Sequence, residues 1–160
     1  MLKILGAAAI SAAAVMLSAW YGEYLWRRVR EGNAFLGLIE RMAGEISRYL
    51  TPAAKIFESY DDPILERLGF LALARTEGVG HAFRKTRHRL IMPGKGVELL
   101  GRLFSGFGRD YRDGEVERLT DARRELAEIM AAEESELPRS LKVGRVLICA
   151  AALGVIILII

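Results

Sequence analysis

Two apolar stretches, Ile4–Tyr21 and Val143–Ile160, stand near opposite ends of this 160-residue chain and constrain its fold more than any other feature. The first reads ILGAAAISAAAVMLSAWY and carries no charge. At about 1.5 Å per residue such a segment makes a helix of roughly 27 Å, close to the hydrocarbon thickness of a bilayer. Trp20, Tyr21, Tyr24 and Trp26 crowd its far end, where amphipathic rings settle at a membrane interface. The second stretch is apolar apart from Arg145, which lies near its start and can snorkel to the interface beside Arg139 and Lys142.

Charge around these stretches sets an expected orientation. Arg27, Arg28 and Arg30 follow the first one, whereas only Lys3 and the amino terminus precede it. The positive-inside rule then puts the middle of the chain in the cytoplasm. A cleaved signal peptide would carry its charge before the apolar core and small residues at the cleavage site. Here the best cleavage position, after Ala19, has Leu17 where a small residue is required, so an uncleaved anchor is expected. Arg139, Lys142 and Arg145 mark the same side at the second stretch. The expected organisation is a transmembrane helix over residues 1–25, a cytoplasmic helical bundle over 26–142 and a second transmembrane helix over 143–160. The chain is thus expected in the cell membrane as a two-span hairpin, both termini outside and little of it acting beyond the bilayer.

Composition fits this division. A hydrophobic share of 52% beside 27% charged residues is a contradiction that concentration of apolar residues at both ends resolves. Between Arg27 and Lys142 acidic and basic residues nearly balance, and the net charge of the whole chain is only +3, so nucleic acid is not an expected partner. The single cysteine, Cys149, excludes an intrachain disulfide and a cysteine-based zinc site, and reads as a small apolar residue of the second span.

The middle reads as all-α, a small antiparallel bundle of short helices flanked by the two transmembrane helices. The first helix is expected to continue past the membrane, with Leu36, Ile39, Ala43, Ile46 and Leu50 as its buried stripe and Gly32, Gly37 and Gly44 as local weak points. Thr51-Pro52 and Asp62-Pro63 each read as an N-cap followed by proline at the first helical position. The first opens a helix carrying Ile56, Phe57 and Tyr60. The second opens one with Ile64, Leu65, Leu68, Leu71 and Ala72 inward, ended by Gly78-Val79-Gly80. In His81–Leu90 only Ala82, Phe83 and Leu90 are apolar, and Met92–Gly96 reads as a loop. Val97–Phe107 is expected to bury Val97, Leu100, Leu103, Phe104 and Phe107. After a polar turn, a helix over Glu115–Leu137 carries Val116, Leu119, Ala122, Leu126, Ile129 and Met130 inward until Pro138 interrupts it. No segment alternates with period two. A bundle this small gains from membrane anchoring or from self-association into a homo-oligomer.

No catalytic or cofactor-binding constellation is recognisable. His81 and His88 are two turns apart without a carboxylate or cysteine at metal-ligand spacing, and no cofactor or metal is expected. Gly94-Lys95-Gly96 lacks the rest of a phosphate-binding loop and reads as a turn. No serine stands in a nucleophile-elbow context, and the adjacent carboxylates Asp61-Asp62 and Glu133-Glu134 diverge on a helix. Arg84, Lys85, Arg87, His88 and Arg89 form the densest charge cluster, readable as a solvated face, a contact for anionic lipid head groups or a dock for an acidic protein.

In order along the chain, the opening MLKILGA, the apolar segment followed by WRRVR and the Glu45-Ile46 pair before Thr51-Pro52 form one half of a pattern. Leu99-Leu100, the Gly106-Phe107-Gly108 turn, the Arg112-Asp113-Gly114 link into a long charged helix and the terminal apolar helix complete it. Taken together these resemble the stage III sporulation protein AB family of endospore-forming bacteria over essentially the whole chain. The likeness departs at Arg48, Ala53-Ala54 and Glu115, where the family tends to carry tyrosine, leucine and glutamine. It implies a mother-cell membrane protein, in a complex linking mother cell and forespore, similar to the platform component of type II secretion and type IV pilus machines. Its implied partners are the stage III sporulation AA-type ATPase and other stage III sporulation membrane proteins, besides the lipid bilayer itself. On that reading the chain hydrolyses nothing and transmits ATP-driven movement through packed helices. Arg84, Lys85, Arg87 and Arg89 are the expected docking face, with Glu98, Arg102 and Arg109 near the glycine turn as a second patch. A purely structural scaffold, packed through the small residues of Gly6–Ser18, is the alternative.

Overall fold

The computed structural model describes residues 2–49, 53–107 and 112–159. The expected helix start at Thr51-Pro52, Leu50 and most of the polar turn after Phe107 lie outside the described residues. The helices are α1 (Leu2–Tyr49), α2 (Ala53–Ser59), α3 (Pro63–Arg67), α4 (Phe70–Glu77), α5 (Val79–Thr86), α6 (Gly94–Ser105) and α7 (Arg112–Ile159), with a 3-10 turn at Arg87–Arg89. No strand occurs among the described residues, and the chain is all-α. Two compact units result, Met1–Arg27 with Glu134–Ile160, and Arg28–Glu133.

In the first unit, parts of α1 and α7 pack closely. The Tyr21 ring lies where a Cβ on Gly144 would stand, and Leu141 Cδ2 comes within 3.4 Å of the same point on Gly22. Met16, Leu17, Trp20, Val146, Leu147, Leu153, Ile157 and Leu158 are all exposed. Both helices are long and apolar enough to cross a membrane, and the most apolar window of each has no buried residue. So many large apolar side chains facing outward suit lipid rather than water. Pro138 does not interrupt α7 as the sequence suggests. Leu137 before it is buried and Leu141 after it packs on Gly22, so packing carries the helix past the one missing hydrogen bond.

In the second unit α1 and α7 run antiparallel. Arg28 pairs with Glu133 at 3.0 Å and Glu40 with Arg123 at 2.8 Å, and between them Gly32 faces Met130 with no room for a Cβ. Phe35 of α1 meets Phe70 of α4 edge-on at 5.2 Å between ring centroids. Phe83 of α5 and Phe104 of α6 each lie 6.4 Å from Phe35, and 5.5 Å from one another. α1 therefore touches partners on more than one side, which broadens its buried arc. Val29, Phe35, Leu38, Ile39 and Met42 fill that arc, whereas Leu36, Ala43 and Ile46 of the expected stripe are only half-buried.

Asp62 caps α3 as its sequence suggests, its Oδ1 accepting from the Ile64 N–H at 2.9 Å and the Leu65 N–H at 3.0 Å. The helix then stops earlier than expected. Gly69 turns left-handed, with φ 76°, and α4 restarts at Phe70, which puts Phe70 and Ala74 inward and leaves Ala72 exposed. Arg75 of α4 ties back to the end of α2, donating through Nε to the Phe57 carbonyl at 2.8 Å and through Nη2 to the Tyr60 carbonyl at 2.9 Å. Burial, then Asp62, pushes the Tyr60 phenol above its ordinary value, with Arg41 opposing. The neutral ring is thus the folded form, and its contribution is whole below the ordinary phenol value and is lost as pH rises from there through the raised one.

Two glycines expected to act as punctuation serve packing instead. Gly94-Lys95-Gly96 is the first turn of α6, whose Gly96 and Val97 N–H groups donate to the Pro93 carbonyl. A Cβ on Gly96 would lie 2.6 Å from Met92 Cε and 3.3 Å from Leu126 Cδ1 of α7. Gly80 lies inside α5, where a Cβ would stand 2.8 Å from the Phe104 carbonyl oxygen. That neighbour is backbone and cannot turn away. Gly80→Ala is expected to lower the unfolding free energy of the detergent-solubilised chain by about 1–3 kcal/mol. Gly44→Ala, in the helix where nothing lies within 4 Å of the new Cβ, is expected to raise it by up to about 1 kcal/mol. Denaturant titration followed by circular dichroism checks both.

Candidate docking surface

The amphipathic pattern of α5 places the charge cluster on the surface. Val79, Ala82, Phe83 and Thr86 are buried at helical spacing, and Thr86 Oγ1 donates to the Ala82 carbonyl at 2.8 Å. Arg84, Lys85, Arg87, His88 and Arg89 are consequently exposed. Gly78, with φ 83° and ψ 157°, adopts a backbone open to glycine alone and lets α5 start directly after α4.

Within the cluster the charges are not equivalent. Glu77 lies 3.1 Å from Lys85 Nζ and 2.8 Å from His81 Nε2, so Lys85 is already engaged. Arg84, Arg87 and Arg89 make no ion pair among the described residues and carry the outward positive field. His81 and His88 do not come together as ligands, and among the described residues no group of three or more His, Cys, Asp or Glu is placed to hold a metal.

The second expected patch is less concentrated. Glu98 is exposed, and Arg102, one turn further along α6, reaches Glu125 of α7 at 3.4 Å. Both members of that pair are largely exposed, and such a bond contributes at most about 1 kcal/mol. Arg109 lies outside the described residues.

One residue that positions the cationic cluster escaped the sequence reading. Glu31 of α1 is 5% exposed, and its carboxylate accepts from the Ile91 N–H at 3.0 Å, 60 residues away. Ile91 follows the 3-10 turn and Leu90, so Glu31 fixes where the arginine-bearing segment leaves the surface and enters Met92-Pro93. The signal in the sequence is a carboxylate between Val29 and Phe35, inside an otherwise apolar face.

The family model of stage III sporulation protein AB matches residues 3–160. No curated protein and no solved structure matches the chain.

Glu31→Ala is expected to leave the Ile91 N–H without its partner and to destabilise this corner by about 1–3 kcal/mol. Amide hydrogen exchange should accelerate at Ile91 and in the Arg87–Arg89 turn more than in α7; equal acceleration everywhere would instead mean global loosening.

Proposed function

We propose, on the premise that the chain belongs to the stage III sporulation protein AB family, that it is a non-enzymatic membrane platform whose helical unit docks the secretion-type ATPase of the sporulation complex. Membership makes it a stage III sporulation protein, and two helices able to cross a membrane accord with a membrane component. The single observation that carries the docking reading is the exposed edge of Arg84, Arg87 and Arg89, which have no ion-pair partner among the described residues. A protein partner with an acidic face would find these charges free, with the anchoring side of α5 already held by Phe83 and Phe104.

The flanking cations support the orientation. Arg27, Arg28 and Arg30 follow the apolar part of α1, and Arg139 and Lys142 precede that of α7. By the positive-inside rule the segment between them lies in the mother-cell cytoplasm, where the ATPase works. The second reading, a scaffold that only packs against other membrane subunits, is favoured by an apolar groove walled by Ala13, Ala14, Ala151 and Ala152. Small residues of this kind admit a neighbouring helix closely.

The two readings differ in what a charge reversal does. With the full chain in nanodiscs, Arg84→Glu, Arg87→Glu and Arg89→Glu together are expected to reduce affinity for the AA-type ATPase at least about a hundredfold. The helical circular dichroism spectrum should remain intact. Binding should also weaken with rising salt. Undiminished binding by the folded triple variant would move the dock elsewhere, and no binding by the wild type would leave the scaffold.

A further inference from the structure

The first unit holds a groove of about 580 Å³ between its two helices, bordered by Ser11, Ala14 and Ser18 of α1 and by Arg145, Ala152 and Ile156 of α7. Its size lies within the range of roughly 300–1,000 Å³ typical of ligand pockets. The walls are apolar or small along their length, and the one charge is at one end. Gly144, the neighbour of Arg145, packs against Tyr21, and Trp20 stacks on Tyr24 at 6.1 Å. Arg145 therefore stands level with the aromatic residues that mark a membrane interface, while Ser11 and Ile156 lie at the apolar depth. Arg145 is exposed and has no ion pair among the described residues. The companion groove of Ile10, Ala13, Leu17, Leu147, Ala151 and Val155 contains no charge.

We propose that the Arg145 groove holds an anionic phospholipid. The phosphate rests on the guanidinium at the interface, and one acyl chain runs down between Ser18 and Ala152 towards Ile156. From Arg145 to Ile156 the α7 wall extends about 16 Å at the helical rise, so a chain lies along it rather than across it. A planar guanidinium meets phosphate oxygens through paired hydrogen bonds, a geometry an ammonium cannot reproduce. Charge complementarity selects a lipid over a partner helix. Phosphates are abundant at the depth of Arg145, whereas a partner helix would need a carboxylate at that one level.

The inference rests on α1 and α7 spanning the bilayer, which alkaline extraction of membranes checks separately: release of the chain would overturn the spanning and the lipid site together. For a membrane-retained chain, the test is native mass spectrometry of the full protein in mild detergent with equimolar phosphatidylglycerol and phosphatidylcholine. Wild type is expected to retain phosphatidylglycerol preferentially. Arg145→Gln should reduce that preference about fivefold, and Arg139→Gln, removing a cation outside the groove, should leave it unchanged. Ala152→Phe keeps the cation and fills the channel, so retention of both lipids should drop. Equal retention of the two lipids, a preference untouched by Arg145→Gln, or displacement by water-soluble glycerol phosphate would each overturn the proposal. So would a lipid-free dimer of the wild type, which would assign the groove to a second copy.

Discussion

Four phenylalanines hold the helical unit together. Phe35, Phe70, Phe83 and Phe104 come from α1, α4, α5 and α6, and Phe70 and Phe104 close the ring of contacts at 5.8 Å. Each aromatic pair adds about 0.5–1.5 kcal/mol beyond the burial of its area. The larger consequence is geometric, because three short helices, none long enough to persist alone, are pinned to one side chain of a long helix. The cationic edge depends on this. Arg84 and Arg87 face outward because Phe83 and Thr86 beside them are committed inward, and Glu31 holds the end of the same segment from the α1 side.

Close packing against glycine is the second constraint, and it explains several of the glycines in the bundle. Gly32 admits Met130, Gly96 admits Leu126 and Met92, and Gly80 lies against the Phe104 carbonyl. At Gly32 and Gly96 a side chain would displace methionine and leucine ends, whereas at Gly80 it would push apart two helices, α5 and α6, that the aromatic cluster draws together. Among the described residues, Gly69 and Gly78 alone are needed for their backbone angles. Glycine thus serves two separate purposes in one small bundle.

That double use governs what the sequence could disclose. The membrane-length stretches were legible because composition alone defines them, and the Asp62-Pro63 cap because its geometry is local. Phe83 and Phe104 were legible within amphipathic patterns. Phe35 and Phe70 were not: Phe35 sits off a stripe that assumes a single partner, and Phe70 turns inward only because Gly69 breaks the helix before it. Gly80 and Gly94–Gly96 read as chain breaks, since glycine at a turn and glycine at a helix crossing look alike in one dimension. Pro138 misled in the opposite sense, a strong local signal overruled by contacts at Leu137 and Leu141. At the candidate dock the charge run was visible, while the engagement of Lys85 by Glu77 and the support from Glu31 depend on chain returning from a distance.

The two surfaces proposed to act, the arginine edge and the Arg145 groove, use the same functional group under different physics. Arg84, Arg87 and Arg89 face outward from a helical unit with a nearly balanced charge, so their effect is a field that salt screens and that a partner completes. Arg145 lies at the mouth of an apolar groove, where one guanidinium contributes more because little else competes for its hydrogen bonds. An arginine is suited to both because it stays charged in either setting and presents its donors as a rigid fork. Lysine at either place would keep the charge and lose the geometry. Salt dependence at the edge, set against headgroup dependence at the groove, is therefore the physical signature that separates docking of a protein from retention of a lipid.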